Sequence, residues 1–370
     1  MIPPPMDGPT AGGPVPTRRR LLALPALGLL AGAAPPVRYP VASPGVVLTF
    51  PHDHGAHPDF RTEWWYLTAR VRDATGAPLG VQVTFFRHRP GLQEGSRSRF
   101  APTQLLFAHA AIADPRSGRL LHDQRAARAG FGLAEAATGT TDVRVDGWSL
   151  VLEQGRYRAR LAGRALDLDL SFIADEPPLL QGRAGLSRKG PRDHQASFYY
   201  SRPRLRVAGT VTLKGRPSPV GGLAWLDHEW SSEILDPSAV GWDWTGLRLA
   251  DGGALTAFQV RDAGGNALWA GGSLRDRRGG LRLFEPGEVR LTPLRRWRSP
   301  RTGIAYPVAV VVETPAGALT LAPLMDDQEL DSRASVGTVY WEGAVDALTG
   351  GRVVGEGYLE LTGYGGRMRL

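Results

Sequence analysis

The stretch Ala165-Leu166-Asp167-Leu168-Asp169-Leu170-Ser171-Phe172 alternates apolar and polar side chains without a break. Successive side chains of an extended chain point to opposite faces, so this pattern builds a half-buried β-strand. The same period of two runs through Val81, Val83 and Phe85 and through Trp148, Leu150 and Leu152. Further strands are expected at 205–213, 242–249, 255–260, 308–313, 318–324 and 358–361. Turn-forming runs separate them: Asp73-Ala74-Thr75-Gly76, Lys214-Gly215, Asp251-Gly252-Gly253 and Ala263-Gly264-Gly265-Asn266. The Ala-rich stretch 126–137 is the one helix candidate. Short strands at even spacing with Gly-rich turns predict an all-β sandwich or barrel.

With 370 residues the chain is long enough for two cores. A hairpin echo points the same way. Glu63-Trp64-Trp65-Tyr66-Leu67 leads through a turn into Val81-Gln82-Val83, and Trp242-Asp243-Trp244-Thr245-Gly246 leads through Asp251-Gly252-Gly253 into Phe258-Gln259-Val260. Asp236-Pro237-Ser238 interrupts the pattern between them. The expected division is therefore 1–44 for a signal peptide and disordered start, 45–235 for a first domain and 236–370 for a second.

The formal charge is +8, but only Lys189 and Lys214 among 44 basic residues are lysine, and the arginines are scattered. No recognition motif accompanies them, so nucleic acid is not an expected partner. Cysteine is absent, which excludes disulfides, thiolate metal sites and cysteine nucleophiles. There is neither a Gly-x-Ser-x-Gly elbow nor a phosphate loop. His52, Asp53, His54 and His57 have spacing that suits zinc or copper, but they sit in a Gly- and Pro-bearing segment where unliganded histidines are common. No metal and no cofactor are expected.

Near the start, Thr17-Arg18-Arg19-Arg20-Leu21-Leu22 precedes an apolar run that ends in Ala31-Gly32-Ala33-Ala34. This reads as a twin-arginine export signal, placing the protein in the periplasm or outside the cell. Pro25 and Gly28 interrupt a run already short of the about 20 residues a bilayer-spanning helix needs.

Three segments concentrate aromatic and polar residues: 50–66, which ends in Glu63-Trp64-Trp65-Tyr66; Ser197-Phe198-Tyr199-Tyr200-Ser201-Arg202-Pro203; and Trp225-Leu226-Asp227-His228-Glu229-Trp230, with Trp242-Asp243-Trp244 just after it. In order and spacing these blocks resemble the carotenoid 1,2-hydratase/AttH-like family, from about Phe50 to the end. The resemblance implies tandem lipocalin-like (calycin) antiparallel β-barrels and, in some members, hydration of the terminal double bond of an acyclic carotenoid. The hydratases carry an aromatic-x-Asp element as the acid, which matches Trp225 and Asp227; Tyr stands there in those enzymes, and the histidine they use has no counterpart beside Tyr199 and Tyr200.

Protonating an isolated alkene needs a carboxylic acid kept neutral by apolar surroundings, and aromatic faces to stabilise the cation. Asp227 is the expected acid, with His228 or Glu229 holding the attacking water. Trp225, Trp230, Tyr199, Tyr200, Trp242, Trp244, Trp64, Tyr66 and Glu63 are expected to line the substrate. On a strand, however, 225, 227 and 229 share one face while His228 and Trp230 take the other, so both sets line one lumen only if a bulge intervenes. Two functions stand side by side: an enzyme hydrating an isoprenoid or other long apolar substrate, and a non-catalytic carrier or accessory protein in lipid or lipoprotein export. Either has a hydrophobic small molecule as partner, with an export system or membrane surface as a second. The export reading predicts that changing both Arg18 and Arg19 to Lys retains the protein in the cytoplasm on fractionation; unchanged export would rule out the twin-arginine route.

Overall fold

The computed structural model describes residues 37–368 apart from positions 93 and 234, so the expected export signal lies outside the described residues. The first sheet holds β1 (Thr62–Asp73), β2 (Pro78–His88), β3 (Leu105–Ala113), β4 (Leu121–Arg128), β5 (Ala134–Ala136), β6 (Asp142–Val145), β7 (Trp148–Glu153), β8 (Arg156–Ala162), β9 (Leu166–Ala174), β10 (Leu179–Leu180), β11 (Leu186–Arg188), β12 (Ala196–Leu213) and β13 (Arg216–Ser231). The second holds β14 (Gly241–Leu249), β15 (Ala254–Arg261), β16 (Ala267–Arg275), β17 (Leu281–Phe284), β18 (Arg290–Arg298), β19 (Ala305–Thr314), β20 (Gly317–Pro323), β21 (Glu329–Asp331), β22 (Val339–Thr349) and β23 (Arg352–Leu361). Three single-turn 3₁₀ helices, the first at His52–His54, are the helical content of the described residues.

The alternation read at 165–172 is present in β9, where Leu166, Leu168, Leu170 and Phe172 are buried and Asp169 is exposed. The helix candidate at 126–137 is corrected: it is the end of β4, a turn and β5. Gly130 and Gly132, with Phe131 between them, all have positive φ, which breaks a helix, and Leu105 to Ile112 of β3 pair with the preceding residues.

Both sheets are antiparallel and share one plan. The first runs β4-β3-β2-β1-β13-β12-β9-β8-β7-β6-β5, the second β17-β16-β15-β14-β23-β22-β20-β19-β18. In each, the first strand pairs with the second on one side and with the last on the other. The echoed hairpins β1–β2 and β14–β15 thus hold equivalent places. The first sheet curls into a nearly closed barrel around Trp65, Trp148, Tyr157, Phe172 and Tyr200, and the second wraps Trp341, Tyr306, Leu247 and Leu359. These bulky side chains fill the interiors. The two sheets lie in a single compact unit, Val37–Leu370.

Where first and last strands meet, the backbones approach closely. A Cβ added to Gly222 of β13 would strike the carbonyl oxygen of Arg70, and one added to Gly357 of β23 would strike that of Gly246. Since a backbone carbonyl in a ladder cannot swing aside, Gly222→Ala and Gly357→Ala should each destabilise by about 1–3 kcal/mol in urea unfolding. A variant with unchanged midpoint would show that the closing pair is looser than described.

Candidate functional site

β1 and the end of β13 are buried on both faces. Their inner faces belong to the first barrel's core; their outer faces pack on β14, β15, β22 and β23 of the second sheet. Between the outer faces lies a cavity of about 280 Å³. From the first sheet Trp64, Tyr66, Tyr199, Asp227 and Glu229 reach it, joined by Lys189; from the second come Trp242, Trp244, Phe258, Glu342 and Glu360. The space is between the barrels, not inside one.

Asp227 is 3% exposed. Its Oδ1 accepts from Ser201 Oγ at 2.5 Å and from Trp225 Nε1 at 2.7 Å, and Oδ2 accepts from neither. Burial pushes the carboxyl up to about 7, against the pull of those hydrogen bonds. Glu229 is paired by contact: Lys189 Nζ lies 2.9 Å from Oε1, and Ser197 Oγ donates to the same oxygen at 2.5 Å. The Lys189 ammonium also sits over the rings of Tyr199 and Phe258, 4.7 and 4.6 Å from their centroids. Across the cavity, Tyr66 Oη donates to Glu342 Oε2 at 2.7 Å.

The inner face of the same strands has opposite chemistry. Arg87 Nε donates to Glu63 Oε2 at 2.7 Å, while His57 Nδ1 and His228 Nε2 donate to Oε1 at 2.8 and 2.9 Å. Burial alone would raise Glu63, but the Arg87 charge and the bonds from His228 and His57 hold it well below the usual carboxylate range. Burial lowers His57 too, yet its bonds to Asp53 and Glu63 carry it above its ordinary value. Those partners fix one consistent set of tautomers. Arg202 donates to His54 Nε2 at 3.1 Å, His54 Nδ1 to Tyr200 Oη at 2.8 Å, and Tyr200 to His228 Nδ1 at 3.2 Å. Burial, and next the Arg202 charge, press His54 down to about 3, so it stays neutral.

His57, Glu63 and His228 bring three ligand atoms within 4.8 Å of one another. A metal does not fit them as they stand. Both Glu63 oxygens are already engaged, Oε2 by the Arg87 guanidinium and Oε1 by the two imidazoles. Within the 52–57 segment, His57 bonds the strand residue Glu63 and His54 bonds Tyr200 and Arg202, which ties the segment to the first barrel.

The site expected from sequence is therefore divided by strand alternation. Asp227, Glu229, Tyr199, Trp64, Tyr66, Trp242 and Trp244 come together at the cavity, with Trp225 behind Asp227 as a hydrogen-bond donor and Glu63 at the margin. His228, Tyr200 and Trp230 are corrected: they face the first barrel's core, His228 stacked on Trp65 at 4.6 Å and Trp230 on His57 at 3.7 Å. No bulge interrupts β1–β13, which pair in continuous register from Thr62–Ser231 to Asp73–Val220. His228 therefore cannot hold a water in the cavity. Lys189, Glu342 and Glu360 escaped the sequence reading. Each is a lone charge in a strand or loop, although Glu360 lies within a recognised strand whose neighbours Leu359 and Leu361 are apolar.

Fold and site together define a two-barrel, lipocalin-like protein with an acid-bearing cavity between its barrels. The AttH-like family model matches residues 41–364, and the chain belongs to that family. A crystal structure ascribed to AttH of Nitrosomonas europaea is 52% identical, covering 88% of this chain and 99% of that one, with a TM-score of 0.83. Kievitone hydratase of Nectria haematococca shares the fold at 14% identity, covering 88% of this chain and 97% of its own, with a TM-score of 0.66. No curated protein matches the chain in sequence.

The raised carboxyl of Asp227 predicts a pH signature. The folded protein keeps a proton that the unfolded chain releases near 3.8. Its contribution is full below that pH and is lost as pH rises to about 7, at about 1.4 kcal/mol per pH unit. Asp227→Asn has no such proton, so urea unfolding should show the variant gaining on the wild type over that window. Parallel pH profiles would mean that Asp227 ionises normally.

Proposed function

We propose that the cavity binds an unsaturated, largely apolar molecule of the isoprenoid kind and that Asp227 protonates it for the addition of water. The observation that carries this reading is a buried carboxyl with no cation beside it, both of its hydrogen bonds on Oδ1, facing a wall of aromatic rings. In the step, the Asp227 O–H bond breaks as a C–H bond forms, and the double bond's electrons leave a carbocation. Trp64, Trp244 and Phe258 line the same cavity, and an aromatic ring face stabilises such a cation by about 0.5–2 kcal/mol per contact. Water then forms the C–O bond, and its released proton restores the carboxyl. Glu229, paired with Lys189, is placed on the same face to orient that water. Sharing a fold with a hydratase supports the reading. Export to the periplasm, as the N-terminal sequence suggests, would place this chemistry outside the cytoplasm.

The test is geraniol in ¹⁸O-labelled water, with label incorporation read by mass spectrometry. Asp227→Asn keeps the shape and both donors' acceptor, so it should retain the fold and binding of the apolar probe N-phenyl-1-naphthylamine. Label incorporation should fall by about 10²–10⁴-fold. Activity that merely tracks the folded fraction would reduce Asp227 to a structural group. A wild type that binds the probe and geraniol but incorporates no label would be a carrier.

A further inference from the structure

The charges around the cavity do not balance. Glu63, Asp227, Glu229, Glu342 and Glu360 reach its wall, against the cations Arg87 and Lys189. Both cations are taken: Arg87 by Glu63 at 2.7 Å, Lys189 by Glu229 at 2.9 Å. His88, also on the wall, is neutral, because burial and then the charges of Arg61 and Arg87 lower it to about 4. Asp227, Glu342 and Glu360 have no ion-pair partner among the described residues.

Glu342 and Glu360 are directly opposed on the neighbouring strands β22 and β23. Two buried carboxyl groups opposed on adjacent strands repel when both are charged, so each favours the protonated form of the other and the pair retains a proton. Burial, and for Glu342 the charge of Glu360, drives both upward, Glu360 to about 8. Several groups face the pair: Tyr66 and Asp227, and the Lys189–Glu229 ion pair, from the first sheet; Tyr340, Trp242 and Tyr358 from the second. A second, separate group in the cavity wants a ligand. The Tyr199 hydroxyl, on a residue 2% exposed, makes no hydrogen bond.

We propose that Glu342 and Glu360 are the polar pole that receives the hydroxyl of an uncharged unsaturated amphiphile, and that the cavity rejects the matching carboxylate. This rests on the cavity being the substrate site argued above, and it names the substrate class. A carboxyl pair that holds a proton both donates and accepts, as a hydroxyl does, and the idle Tyr199 phenol, beside Asp227 and Glu229, offers a further polar contact elsewhere on the same wall. A carboxylate would bring further negative charge to a wall with no free cation among the described residues.

The test uses the full chain and displacement of N-phenyl-1-naphthylamine at about pH 7.5, where a carboxylic acid is ionised. Geraniol should displace the probe at a concentration at least about tenfold lower than geranate. In Glu342→Gln/Glu360→Gln, with unchanged melting temperature, the gap should narrow. Infrared spectra of the ligand-free protein should show a protonated carboxyl band that each single variant, Glu342→Gln or Glu360→Gln, diminishes. Those single variants keep the assignment testable if the double one does not fold. Equal displacement, a preference for geranate, an unchanged gap in the double variant, or a band insensitive to both substitutions would overturn the proposal. Equal displacement leaves the hydration reading standing, whereas displacement by neither compound overturns the substrate class of both.

Discussion

Twelve residues of β1 pair with β13 in unbroken register, and the strands are buried on both sides. Everything else about the site follows from that pairing. A half-buried strand sorts its side chains into core and solvent; here the second sheet stands where solvent would be. The inner set, with Trp65, Leu67, Leu226 and Trp230, fills the barrel. The outer set, with Tyr66 and Trp225, meets Trp244, Phe258 and Tyr358. The second sheet repeats the arrangement at β14 and β23. Each barrel also clips its first strand to its second with a buried ion pair, Glu63 to Arg87 and Asp243 to Arg261 at 3.0 Å. Breaking such a pair leaves an uncompensated buried charge, at a cost of about 3–5 kcal/mol, so each end of the repeat is held in one register.

One alternation therefore yields two opposite electrostatic environments a single strand apart. Glu63 and Asp227 are both buried carboxylates on the β1–β13 ladder. Desolvation acts on both in the same direction. Glu63 has a guanidinium and two imidazoles to set against it and is held well below the usual carboxylate range; Asp227 has a hydroxyl and an indole and is pushed up to about 7. Neutral donors stabilise a carboxylate less than charged ones do, which decides which of the two can surrender a proton.

The barrels were legible where one face of a strand is wet. β9 declares itself because Asp169 is in solvent while Leu168 and Leu170 are not. In β13, both faces of Trp225-Leu226-Asp227-His228-Glu229-Trp230 are dry, so composition does not say which face is the core. Period two still divides the residues correctly into 225, 227, 229 against 228, 230. What it lacks is the second sheet, whose contribution to the cavity is spread over β14, β15, β22 and β23. Glu342 and Glu360 are eighteen positions apart and read singly as surface charges; only the register of β22 on β23 makes them a pair. The Ala-rich stretch 126–137 went astray for a related reason. Alanine suits a helix, and the positive φ of Phe131 between two glycines overrode that preference.

Trp65, Trp148, Tyr157 and Trp341 pack the barrel interiors, and the cavity that gathers the acids and aromatic rings lies at the contact between the barrels. Two convex sheet faces cannot match along their whole length, so a gap between them is the geometric default. In this position, the residues that line the cavity alternate with those that make the cores. Asp227 and Glu229 sit between Leu226, His228 and Trp230; Glu342 and Glu360 sit beside Trp341, Leu359 and Leu361. A change at the cavity thus leaves its sequence neighbours packed in a separate compartment. Cavity chemistry and barrel packing rest on interleaved sets of side chains, and the first can vary without dismantling the second.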